Sequence, residues 1–138
     1  MQKRAGATAV AALMLVALTG CTAPDSPFDS EPTASDELPD HVGNTPEDRA
    51  ELESVRYAGT AKDADVWIAR HADGGNCLVV DAKGDPTLWT IGCSGPLSPF
   101  VGTYLRDVGD FEYYPQGIPG GEPEEGWSAI GEYVVVAD

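Results

Sequence analysis

The sequence predicts a mainly β domain: a small antiparallel meander, open barrel or sandwich with one short N-terminal helix and one disulfide. Beyond Val55 the apolar residues fall in short runs separated at close, fairly regular spacing by turn residues, the pattern of consecutive antiparallel strands. The chain holds 16 Gly and 11 Pro among 138 residues, which favours turns and irregular connections over a helical bundle. Two cysteines, Cys77 and Cys93, stand at the outer ends of adjacent predicted strands.

The apolar runs place strands at Val55–Thr60, Val66–Ala72, Cys77–Ala82 and Thr87–Cys93, broken by turns at 62–65, 73–76 and 83–86. Further strands are expected at Phe100–Leu105, Phe111–Tyr114 and Tyr133–Ala137. The stretch from Pro115 to Gly126 packs three prolines and four glycines into twelve residues, which defeats both helix and strand, so a loop is expected there. Ahead of the strands, Thr45 has the character of a helix N-cap. Pro46 suits the first turn, and Glu47 and Asp48 complement the positive helix end. A helix over Pro46–Ser54 is expected, with Leu52 and Val55 as inward anchors.

A hairpin centred on Asp85 sets Cys77 directly opposite Cys93, Val79 opposite Ile91 and Asp81 opposite Trp89. Leu78, Val80, Leu88 and Thr90 then share the other face, and one of the two faces is expected to be core. Opposed residues have Cβ atoms ~4.5–5.5 Å apart, so the cysteines need little adjustment to bond. A metal site and a redox pair are the competing readings. His41 and His71 do not make up four ligands with the two thiols, and there is no Cys-x-x-Cys.

Lys3 and Arg4 precede an uncharged, Ala-rich run from Ala5 to Leu18, shorter than the ~20 residues that cross a hydrocarbon core. Leu18-Thr19-Gly20-Cys21 follows, and this stretch resembles the lipobox of bacterial lipoproteins. The resemblance covers residues 1–21 and implies a signal peptide over 1–20, cleavage between Gly20 and Cys21, and diacylglyceryl attachment to the Cys21 thiol. It thus implies a palmitate-type anchor in the cell membrane, with the domain on the extracytoplasmic face. An ordinary secretory signal with a coincidental cysteine, or a buried apolar helix, are the competing readings. Export to an oxidising compartment also agrees with a disulfide.

Residues 21–44 carry four prolines and no Lys or Arg, with only Phe28, Leu38 and Val42 as sizeable apolar side chains. They are expected to form a disordered acidic tether with a typical span of roughly 25–30 Å, holding a single domain of residues 45–138 near the membrane. The whole chain has 8 basic and 23 acidic residues, a net charge of −15. Without residues 1–20 the count is six basic against 23 acidic, a net charge of −17. Such a surface repels phosphate, so no nucleic-acid partner is expected.

Candidate chemistry is sparse. His71 is the only histidine of residues 45–138, and Ser94 and Ser98 lie in a Gly/Pro-rich loop, but no G-x-S-x-G elbow is present. The acidic groups Asp63/Asp65, Asp107/Asp110/Glu112 and Glu122/Glu124/Glu125 are what an acidic chain produces by chance. Asp81 to Asp85 has Lys83 where a calcium loop places a ligand. No cofactor, metal site or catalytic residue is assigned. Trp67 and Trp89 are expected in the core. Tyr113 and Tyr114, beside the Gly/Pro loop, and Trp127 are the candidate contact residues for an envelope protein or glycan. The segments Trp67–Arg70, Cys77–Val80 and Trp89–Cys93 are similar to small exported domains of high-GC Gram-positive bacteria, a likeness that implies no activity. The expected function is a non-catalytic binding or accessory module, with a carrier of a small molecule or cation, or a small envelope hydrolase, as competitors.

Overall fold

The computed structural model describes residues 26–43, 49 and 51–138. Among the described residues, eight strands form two four-stranded antiparallel sheets. The first sheet is a meander of β1 (Leu52–Ala61), β2 (Ala64–His71), β3 (Asn76–Ala82) and β4 (Trp89–Ser94), in that order. The second contains β5 (Val101–Leu105), β6 (Gly109–Tyr113), β7 (Trp127–Ile130) and β8 (Val134–Ala137), in the order β5-β6-β8-β7. Short 3-10 turns lie at Ala34–Asp36 and Pro119–Gly121. Among the described residues no helix is long and apolar enough to cross a membrane.

Strand alternation builds the core. Val66, Ile68, Leu78 and Val80 of the first sheet face Val101, Leu105, Phe111, Tyr113, Ile130, Val134 and Val136 of the second, all buried. Cys77 pairs with Cys93 in register and the two form a disulfide, their Cα atoms 4.1 Å apart. Val79 opposes Ile91 and Asp81 opposes Trp89, as the Asp85-centred hairpin predicts. The seam between the sheets requires glycine at two places. A Cβ on Gly59, where β1 bulges at φ +143, would lie 2.7 Å from Cγ2 of Ile130. One on Gly92 would lie 2.9 Å from the Thr103 Cβ, where β4 runs against β5.

The expectation that only one face of the hairpin is core is corrected: every residue of β3 from Cys77 to Ala82 is buried. A second cluster covers the outer face of the first sheet, with Val42, Trp67 and Val79 at its centre and Leu38, Leu52, Val55, Trp89 and Ile91 around it. The cover is supplied by residues 26–43, so the disordered tether expected over 21–44 is corrected for that span. Its few apolar residues are all used: Val42 is fully buried, Leu38 packs beside it, and Phe28 joins the main core under Arg70, whose guanidinium carbon lies 4.6 Å from the ring centroid.

Arginines from the domain bind the backbone carbonyls of this cover. Arg56 donates to the Ser30 oxygen (2.7 Å), and Arg49 donates to the oxygens of Val42 (2.7 Å) and Pro39. The Trp67 indole donates to the Ser35 carbonyl (2.9 Å), and the Tyr57 N–H to the Asp36 carboxylate (2.7 Å). Partial burial pulls the Asp36 carboxyl upward. The bonds from the Thr33 and Tyr57 N–H groups, the Thr33 hydroxyl and the Arg56 charge outweigh it and leave the group below its ordinary value. A cover so fastened needs little apolar surface of its own.

The expected helix over Pro46–Ser54 lies partly outside the described residues, which omit 44–48 and 50, including Thr45. From Leu52 to Ser54 the chain is strand, not helix. Leu52 pairs with His71, and the Ala72 N–H donates to the Glu51 oxygen (2.8 Å), so sheet pairing overrides local helix preference. Leu52 and Val55 are nevertheless inward anchors. The signal peptide and Cys21 lie outside the described residues.

Candidate functional site

The outer face of the second sheet carries the only sequence-predicted contact residues that come together. Along β6 the side chains alternate: Phe111 and Tyr113 point into the core, while Glu112 and then Tyr114 point outward. On the neighbouring strands Val135 and Trp127 share that outer face. The Pro/Gly stretch after Tyr114 is irregular, as expected, but it folds back over the sheet rather than away from it. The Ile118 N–H donates to the Glu132 oxygen (3.0 Å), the Gly121 N–H to Ile118 (2.8 Å) and the Trp127 N–H to Glu124 (3.1 Å). Between loop and sheet lies a groove lined by Tyr114, Trp127, Glu112, Glu122, Glu124 and, at its floor, Val135.

Tyr113 is not a contact residue. It is fully buried, because two successive strand residues cannot face the same side, and Tyr114 takes the outward position. Burial pushes the Tyr113 hydroxyl up to about 12, with Arg70 opposing and Tyr133 adding to the shift, and among the described residues its oxygen has no hydrogen-bond partner. Tyr114 is half-buried. Its hydroxyl donates to the Glu112 carboxylate (2.5 Å), which, ahead of burial and the charges of Glu112 and Glu124, pushes it up to about 12. The phenol therefore stays protonated at any ordinary pH and holds Glu112 in place. Among the described residues, no Lys, Arg or His lines the groove. The arrangement offers two aromatic faces and three carboxylates to whatever enters.

The glutamates were visible in the sequence only as chance acids. The signal that finds Glu112 is its i, i+2 relation to Tyr114, which puts both on one face of an extended segment. Nothing local in the sequence reports that the loop carries Glu122 and Glu124 back to them.

The other candidates have structural duties. His71 stands between two carboxylates, Nε2 at 3.2 Å from Glu51 and Nδ1 at 2.8 Å from Asp73. The hydrogen bond to Asp73, then that to Glu51, raises its pKa above the ordinary histidine value. The Ser98 hydroxyl donates to the Phe100 oxygen (2.8 Å), not to the imidazole. In the suspected calcium loop, Asp81 is bonded to His41 of the cover (2.8 Å), and Asp85 accepts from the Thr87 hydroxyl (2.7 Å) and N–H, which lower its pKa. Asp65 accepts from Tyr57 and Thr60, each at 2.8 Å. Among the described residues, no group of three or more His, Cys, Asp or Glu side chains is arranged to hold a metal ion. Trp67 is buried and Trp89 half-buried, both within the cluster beneath the cover.

No protein-family model, curated protein or solved structure matches the chain.

Proposed function

We propose that the chain is a lipoprotein of the cell envelope, anchored through Cys21 on the extracytoplasmic side, and that its domain is a non-catalytic binding module. The groove on the second sheet is the contact site, and its occupant is a cationic side chain, Lys or Arg, of an envelope protein. One observation carries this reading: Tyr114 and Trp127 stand with Glu112, Glu122 and Glu124 around one depression that, among the described residues, no basic side chain lines. A cation over an aromatic face gains ~0.5–2 kcal/mol, and a charge-assisted bond to a carboxylate is about twice as strong as a neutral one. The carboxylates are not grouped as metal ligands, which favours an organic cation. Neither competitor has comparable support. The space between the sheets is occupied by the side chains of the main core, leaving a carrier no apolar chamber there, and both nitrogens of His71 are engaged by carboxylates.

The test is a fluorescence titration of the protein with a short Lys/Arg-rich peptide, beside Trp127→Ala and Glu124→Gln variants and a neutral oligosaccharide as contrasting titrant. The expected result is saturable binding that weakens about tenfold or more in each variant and falls with added salt. Equal affinity in the variants would assign the binding to diffuse charge and remove the groove from the account. Saturable binding of the oligosaccharide in place of the peptide would overturn the cationic occupant.

A further inference from the structure

We propose that the end of the sandwich carrying Leu97 contacts the lipid bilayer, with the Gly95–Phe100 loop seated among headgroups and upper acyl chains beside the anchor. The proposal rests on the lipoprotein reading above and adds the orientation of the domain on its membrane.

The loop between β4 and β5 reads Gly95-Pro96-Leu97-Ser98-Pro99-Phe100, and from Pro86 to Leu105 no Asp, Glu, Lys or Arg occurs in a chain that is 22% charged. Leu97 is 97% exposed and Phe100 41%. The loop presents these side chains from a fixed frame. The Ser98 N–H donates to the Gly95 oxygen (3.1 Å), the Ser98 hydroxyl donates to the Phe100 oxygen, and Pro96 and Pro99 fix their own backbone angles. Little ordering entropy remains to oppose insertion. An exposed leucine at the tip of a braced, uncharged loop gains nothing in water.

Ser26 lies at the same end. Register carries Arg70 to Asn76 and Asn76 to Ser94, so the end of β2, the following turn and the loop after β4 are neighbours. A Cβ on Gly74 of that turn would lie 3.9 Å from the Pro96 Cβ. Ser26, where the described chain begins, has its hydroxyl 3.5 Å from the Arg70 guanidinium. It lines one shallow depression with Arg70, Pro115 and Tyr133. Phe100 closes the circuit, its ring centroid 5.8 Å from that of Tyr114, next to Pro115.

Five residue steps separate Cys21 from Ser26, and at ~3.3–3.6 Å each they span roughly 17 Å at most. The headgroup layer alone takes up roughly 5–8 Å of that reach. The 26–43 cover thus replaces a free spacer with a short leash, and the end bearing Ser26 and Leu97 is brought to the bilayer. Burying a leucine side chain is worth roughly ten- to a hundredfold in partitioning. That is weak for a free protein, but it suffices once the anchor has already supplied a high local concentration. The acidic chain gains nothing from anionic headgroups, so the contact is apolar.

The experiment uses the full chain as its own cells process it, reconstituted in phosphatidylcholine vesicles, which contain no other protein. A photoreactive residue, p-benzoylphenylalanine, replaces Leu97 in one sample and Lys83, in the turn at the opposite end, in another. Mass spectrometry of the Cys21 peptide reads the diacylglyceryl group separately. The expected result is a modified Cys21 together with phospholipid adducts at position 97 in at least tenfold excess over position 83. A modified Cys21 with equal or absent adducts at the two positions overturns the membrane-contacting loop and leaves the anchor standing. An unmodified Cys21 overturns the anchor and the orientation with it.

Discussion

Val42→Ala discriminates most sharply between a tether and a structural cover. Val42 has no exposed surface and sits against Trp67 and Val79 on the outer face of the first sheet. The substitution removes two methyl groups, worth about 1.6 kcal/mol in transfer at ~0.8 kcal/mol each. The cavity left behind adds about 1 kcal/mol if the site collapses only partly. The expected loss is therefore about 2–3 kcal/mol, which for a domain of this size lowers Tm by roughly 10 °C. Thermal unfolding of the purified protein, followed by near-UV circular dichroism, reads it, with Glu37→Ala on the exposed side of the same segment as the control. A Val42→Ala change within about 0.5 kcal/mol of wild type, the range of ordinary surface substitutions, would return residues 26–43 to a spacer.

Three further outcomes follow from other parts of the fold. Tyr113→Phe is expected to raise stability by about 1 kcal/mol, because it deletes a buried hydroxyl with no partner, and a clear loss in urea unfolding would mean that the oxygen is satisfied after all. Replacing Cys77 and Cys93 together by Ala is expected to cost about 3 kcal/mol from the chain-entropy term for a loop of 16 residues; unchanged stability under reducing and oxidising conditions alike would contradict this. His71 is held above its ordinary pKa, so its protonated form favours the fold: the contribution is complete below the unfolded value of ~6.5 and is lost as pH rises through the folded value. Asp73, whose pKa is lowered by the Gly75 N–H and then by His71, contributes in the opposite sense and is lost as pH falls. An NMR titration is expected to place the His71 midpoint above ~6.5 and to show it drop in Asp73→Asn; a wild-type midpoint at or below that value would remove the ion pairs from the account.

How much of this was legible in the sequence depended on the range of the interaction. The Cys77–Cys93 pairing and the hairpin register could be read because one turn at 83–86 fixes them and strand alternation has period 2. The identities of most other strands followed from the same short-range pattern. β7 was missed because Trp127–Ile130 is short and is entered directly from a Gly/Pro loop, so it has no run of its own to display. The 26–43 cover was misread because composition measures a segment's own apolar surface. What orders this one is chemistry at a distance: arginines at 49 and 56 reaching its carbonyls, and Trp67 reaching Ser35. Tyr113 and Tyr114 are neighbours in the sequence, but the pleat sends one side chain to the core and the other to the groove. The groove itself depends on a loop returning to its own sheet, which no local pattern encodes.

Photo-cross-linking from the groove in intact cells decides whether the groove holds a cationic side chain of an envelope protein. p-Benzoylphenylalanine replaces Pro123, which lines the groove without supplying an aromatic face or a carboxylate, and the Lys/Arg-rich peptide is present or absent as competitor. The expected result is adducts to an envelope protein that the peptide suppresses and that disappear when Glu112→Gln and Glu124→Gln are added. Adducts indifferent both to the peptide and to the glutamates would contradict it, as would their replacement by glycan adducts.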